Sequence, residues 1–153
     1  MRKIILVLAL FAITAPSTPA RADAAIGLFV GEPLGLDLKF GVGRRSALDI
    51  LAGATSYRSG RVSYGHLTYL VTAAVGRGDS MLIPLRLGIG GAVYGNFDND
   101  LNLAVRAPIQ VGLRFRSGIE LYGEIAIKLT LIDGNNNNEF ADLDGGIGLR
   151  FYF

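Results

Sequence analysis

Twelve charged residues attract attention by their spacing, because they fall at alternate positions of runs that are otherwise apolar. They are Asp37, Lys39, Asp49, Arg86, Arg106, Arg114, Glu120, Glu124, Lys128, Asp142, Asp144 and Arg150. Six are basic and six acidic, so in an enclosed space they would neutralise one another as ion pairs. A proton or ion path is the second chemistry such a set could support. His66, in YGHLTY, is the single histidine, with Thr68 two residues on and on the same face of an extended chain. As a general base it would need an aligned nucleophile. Ser63 is not aligned with it, and the residue-role test assigns no catalytic residue.

Two further stretches resemble binding motifs. In DGNNNNEFADLD, Asp133, Asn135 and Asn137 take the first, third and fifth positions of a calcium loop, but Asn138 stands where the loop wants Gly and Asp144 where it wants Glu. The expectation is a solvated Asn-rich loop with no metal and no cofactor. GRGDS contains Arg77-Gly78-Asp79, a short motif explained by a hairpin turn with Gly at positive φ.

The elements that must position the charges are strands. From Leu101 to Phe115 the odd positions are Leu, Leu, Val, Ala, Ile, Val, Leu and Phe, while the even ones include Asn102, Arg106, Gln110 and Arg114. That period of two argues strand and excludes an amphipathic helix. The pattern recurs from Ile119 to Leu131 and from Leu143 to Phe153, and less sharply over 36–42, 48–55, 66–73 and 85–93. A short run from Ala25 to Val30 makes eight. Turn-forming clusters separate them at 31–35, 43–46, 57–61, 76–80, 95–100, 116–118 and 133–139. Seven short connections between eight strands describe an antiparallel meander in one domain.

Residues 1–22 read as a secretory signal peptide that is removed: Arg2 and Lys3, an apolar run from Ile4 to Ala15, then Ala20-Arg21-Ala22. The expected mature domain, 23–153, keeps 12 basic and 13 acidic residues, a net charge of −1, which argues against nucleic-acid binding. The chain has no Cys, so packing and a complete hydrogen-bond ladder must hold it together.

Which face points inward follows from three features. The charges balance by sign. The polar face also carries Gly88, Gly90, Gly112, Ala126, Gly146 and Gly148, small residues that leave room for long side chains in a narrow barrel. Strands of about ten residues, tilted near 40°, give an outward apolar band of roughly 25 Å. The chain is therefore expected to be all-β: an eight-stranded antiparallel up-and-down transmembrane β-barrel with a polar, charge-paired lumen. It ends on GIGLRFYF, strand to the last residue, as closure against the first strand in lipid demands.

Taken whole, residues 25–153 resemble the small eight-stranded outer-membrane barrels of the OmpA-membrane-domain and OmpX type. Leu149, Phe151 and Phe153 resemble the carboxyl-terminal assembly signal of bacterial outer-membrane barrels. Gly31, Glu32, Pro33, Gly35 and Lys39 resemble the opening of a family of little-characterised outer-membrane barrels with a G-E-P-T-G turn, Leu34 replacing Thr. The resemblance implies location in the cell outer membrane, with both termini in the periplasm. It implies outer-membrane lipids and lipopolysaccharide as surroundings, and periplasmic chaperones and the barrel-assembly machinery as partners during biogenesis. A non-enzymatic envelope or surface-loop role is expected. The alternatives are a lipopolysaccharide-modifying enzyme using His66, a narrow pore, and a soluble periplasmic, lipocalin-like ligand binder.

Overall fold

The structure, a computed structural model, describes residues 23–57, 60–96, 100–132 and 140–153. They form eight strands and, among the described residues, no helix: β1 (Ala24–Glu32), β2 (Leu34–Gly41), β3 (Ser46–Tyr57), β4 (Gly60–Arg77), β5 (Met81–Asn96), β6 (Asp100–Phe115), β7 (Ile119–Ile132) and β8 (Ala141–Tyr152). Each strand pairs antiparallel with its sequence neighbour, and β8 returns to β1 from Ala25↔Tyr152 to Glu32↔Gly145, closing the sheet into a barrel. The Phe153 N–H donates to the Ala24 carbonyl at 3.0 Å, so the ladder runs to the final residue. Closure removes the free edges that an open sheet would present.

Burial follows the sequence alternation but in the sense opposite to a water-soluble core. On β7, Glu120, Tyr122, Glu124, Ala126 and Lys128 are buried, whereas Ile125 is 66% and Ile127 54% exposed. On β1, Leu28 and Val30 are exposed while Ala25 and Phe29 are buried. Exposed large apolar residues occur on all eight strands.

The strands are less uniform than the sequence suggests. β1 and β2 have 9 and 8 residues, β4 has 18, and β5 and β6 have 16 each. Several connections are tighter than their turn clusters: at 31–35 pairing continues to Glu32 and resumes at Leu34, leaving Pro33 alone between strands. The β6–β7 hairpin turns on Gly118, whose N–H donates to the Phe115 carbonyl at 3.1 Å and whose φ of 84° a side chain rarely adopts. The GRGDS turn corrects the sequence expectation. Among the described glycines, positive φ belongs to Gly31, Gly95 and Gly118, and the 78–80 connection is closed by Gly78 N–H donating to the Met81 carbonyl at 2.9 Å.

Two prolines lie inside strands, where each removes a ladder donor. The β5–β6 register places Pro84 opposite Gly112 and Pro108 opposite Gly88, and the regular pairing is interrupted at both places. A Cβ on Gly88 would lie 3.0 Å from Pro108 Cγ and one on Gly112 3.2 Å from Pro84 Cγ, so each glycine makes space for the ring across from it.

Candidate functional site

The barrel interior carries the chemistry. Its buried charges are Lys39, Arg86, Arg106, Lys128 and Arg150 against Asp37, Asp49, Glu120, Glu124 and Asp144, five of each sign. They come from β2, β3, β5, β6, β7 and β8, and each points inward because strand parity puts it on the buried face. Burying a charge is costly unless it is paired and hydrogen-bonded, and here the pairing is dense.

Arg150 is the hub. Its Nε donates to Asp37 at 2.6 Å, and its terminal nitrogens reach Asp49 at 2.7 Å, Asp37 at 3.2 Å and Gln110 at 3.3 Å. The guanidinium also lies 3.8 Å from the ring centroid of Tyr122, whose hydroxyl donates to Asp37 at 2.5 Å. Gly148 makes this possible, since a Cβ there would overlap the Tyr122 ring. Gln110 donates to Asp49 at 3.1 Å and to Glu124 at 2.5 Å, linking this layer to the next.

Toward the end of the barrel where β1 begins and β8 finishes, Arg86 makes a two-point pair with Glu120 at 2.8 and 2.6 Å, and Lys39 donates to the Tyr152 hydroxyl at 2.9 Å. Toward the opposite end, Arg106 pairs with Glu124 and donates to Thr68 at 3.0 Å. Lys128 holds Asp144 at 2.8 Å and Asp142 at 3.1 Å. The rim there is tied by Glu32, which accepts from the Ser56 hydroxyl, the Ser56 N–H and the Thr55 hydroxyl at 2.6, 2.7 and 3.0 Å.

His66 is buried within this network. Its Nε2 lies 3.2 Å from Arg106, which can only donate, so Nε2 is the acceptor and the ring proton sits on Nδ1. Nδ1 then donates to the Tyr64 oxygen at 3.3 Å, and the Tyr64 hydroxyl donates onward to Asp144 at 3.4 Å. Both ring nitrogens are therefore used structurally. Ser63 is exposed on the other face of β4 and is not brought to His66.

Of the twelve charges singled out by spacing, ten are buried together, and two lie nearer the ends of the barrel. Arg114 is half-buried near the end of β6 and pairs with Asp23 at 2.7 and 2.9 Å, stacking 3.7 Å from the Tyr152 ring centroid. Asp142 is exposed near the start of β8 and reaches inward only through Lys128. Parity gives a residue's face but not its depth along the barrel. Asp23, Gln110, Tyr64, Tyr122 and Tyr152 complete the network and were not singled out; an inward-facing tyrosine or glutamine among charges was the available signal. In the calcium-like stretch, 133–139 lie outside the described residues, while Asp144 is turned into the barrel by Lys128, which removes it as a loop ligand. Among the described residues no cluster of three metal-ligating side chains occurs.

Asp23 sits just outside β1, and its hydrogen bond with the Arg114 guanidinium holds its carboxyl below the usual value of 3.8. Leu149, Phe151 and Phe153 are all exposed on one face at the end of β8, with Phe151 opposite Ile26 and Ile119. No protein-family model matches the chain, and no curated protein and no solved structure matches it.

Proposed function

We propose that the chain is a transmembrane β-barrel of the bacterial outer membrane, similar in kind to the OmpA-membrane-domain and OmpX barrels. Its role is non-enzymatic: it contributes to the envelope and presents short loops. The observation that supports this reading most is the sense of the alternation: ion pairs inside, and large apolar side chains exposed on every strand. Soluble monomers rarely expose contiguous apolar patches beyond a few hundred Å², whereas a bilayer solvates such a surface.

The distribution of exposed charge agrees. Among the described residues, exposed charged side chains lie in turns (Arg44, Arg45, Asp79, Arg116) or within two residues of a strand end (Asp23, Arg61, Arg77, Asp142). A charge at mid-bilayer on a barrel's lipid face costs roughly 2–4 kcal/mol, falling toward zero at the interfaces. On this reading the interior pairs are a lumen sealed by its own side chains. The 1–22 segment is the export signal, the termini lie in the periplasm, and the terminal aromatics engage the assembly machinery.

The test is fractionation of expressing cells, followed by SDS gels of the membrane fraction with and without boiling. Recovery in the outer membrane with a heat-shifted band is the expected result. Release with the soluble periplasmic proteins would overturn it.

A further inference from the structure

At the end of the barrel where β1 begins and β8 finishes, the β2–β3 turn, the β4–β5 hairpin and Asp23 surround a polar cavity of about 370 Å³. Its lining carries Lys39, Arg44, Arg45, Arg77, Arg86 and Arg114 against a single carboxylate, Asp23. Arg114 already holds that carboxylate, and Arg86 is held by Glu120. Among the described residues, Arg44, Arg45 and Arg77 form no ion pair. Three exposed guanidiniums without an ion-pair partner thus face one concavity, a concentration of positive charge that raises the local concentration of anions.

The backbone is shaped to produce this arrangement. Pairing of β4 with β5 shifts by one residue between Thr72 and Ala74, a bulge at Ala73. On β4 the buried positions up to the bulge are even-numbered, including Thr68 and Leu70, and Thr72 pairs with the buried Arg86. Beyond it, Val75 pairs with the buried Pro84 and Arg77 pairs with Leu82, so odd-numbered residues take over the inward face. Bulges at barrel rims re-aim side chains in this way. Without the extra residue Arg77 would share the outward face of Tyr69 and Val71. The Arg45 carbonyl accepts from Thr72 N–H at 2.7 Å, which fixes the arginine-bearing turn against the same place. Arg86 adds a second sign: it is buried, it lines the cavity, and its Nε has no protein hydrogen-bond partner.

We propose that this basin binds a phosphate-bearing anion, either free or as the headgroup of an anionic phospholipid. Guanidiniums are suited to phosphate because their planar forks match its oxygens two at a time. Val75 and Leu82, both partly exposed on the same lining, offer an apolar shelf beside the charges, which a lipid would use and a free anion would not.

Calorimetric titration of the folded protein in uncharged detergent tests this with three probes: inorganic phosphate, dihexanoyl phosphatidylglycerol and dihexanoyl phosphatidylcholine. Saturable binding of both phosphate and phosphatidylglycerol is expected for a free-anion site, and of phosphatidylglycerol alone for a headgroup site. In either case the combined Arg44→Gln, Arg45→Gln and Arg77→Gln variant should bind at least about tenfold more weakly, while Arg61→Gln at the opposite end binds unchanged. A heat-shifted band from each variant establishes that it is folded. No saturable binding of either anion, equal binding of phosphatidylcholine and phosphatidylglycerol, or unaltered binding by the triple variant would overturn the proposal. The phosphate arm does not depend on membrane placement, so its outcome is separate from that of the fractionation.

Discussion

At the scale of single residues, Arg150 concentrates the interior's electrostatics. It is fully buried and is the shared cation of Asp37, Asp49 and, at 3.5 Å, Glu120. Removing it leaves carboxylates facing one another without a counter-charge, so Arg150→Met is expected to destabilise the barrel by about 3–5 kcal/mol. Urea unfolding in detergent micelles measures this. Gly148→Ala probes the same hub from the packing side. The new methyl would displace Tyr122 and with it the hydrogen bond to Asp37, for an expected loss of about 1–3 kcal/mol. If Gly148→Ala unfolds at the wild-type urea concentration, Tyr122 has room that the structure does not give it. Asp23 supplies a pH-dependent counterpart at the rim. Its folded carboxyl titrates below its free value because Arg114 holds it, so its contribution is complete above that free value, near 3.8, and is lost as pH falls through the lower folded one. The stability difference between wild type and Asp23→Asn should therefore be constant from neutrality to about pH 5 and shrink toward pH 2. A difference that is unchanged at pH 2 would rule out the ion pair as its source.

At the scale of elements, the strands and their order are legible in the sequence because period-two alternation reports a face directly and needs no long-range information. Leu101–Phe115 is an example: every odd residue of that run is exposed or half-exposed, and Asn102, Arg106 and Gln110 are buried. What alternation cannot report is an inserted residue that leaves the local pattern intact. Val71, Ala73 and Val75 read as one continuous apolar face, yet the bulge at Ala73 splits them and turns Val75 and Arg77 inward. The basic cavity was invisible to sequence reading for that reason. Its three unpaired arginines, Arg44, Arg45 and Arg77, come from the 42–45 turn and the far end of β4, and neither place belongs to an alternating run that singles it out. Depth was equally hidden, which is why Arg114 and Asp142 were grouped with residues lying deeper in the barrel. The proline pairs are a third case: a glycine opposite a proline is recognisable only once the β5–β6 register is known. Gly88→Val would press on Leu70, Thr68 and Pro108, all within 3.0 Å of the added Cβ, and is expected to slow refolding into micelles and lower the urea midpoint. A wild-type midpoint would show that the ladder interruption at Pro108 has slack to absorb the side chain.

At the scale of the whole molecule, the first and last strands are one structural feature. The last strand pairs with the first over eight residue pairs, and Phe153 adds a final hydrogen bond to Ala24. The terminal segment therefore closes the barrel while exposing Leu149, Phe151 and Phe153 outward, with Phe153 79% exposed. An exposed terminal ring buries little against the barrel, so its folded-state contribution should be small. If these side chains act as an assembly signal, Phe153→Ala should lower the amount of heat-shifted barrel in cell outer membranes several-fold. The same variant, refolded from urea into micelles, should unfold at the wild-type midpoint. Equal losses in both settings would instead make Phe153 a closure residue whose effect in cells is only its effect on stability. Wild-type yield in cells would remove the terminal aromatic from assembly altogether and leave the carboxyl end with the single task of completing the ladder.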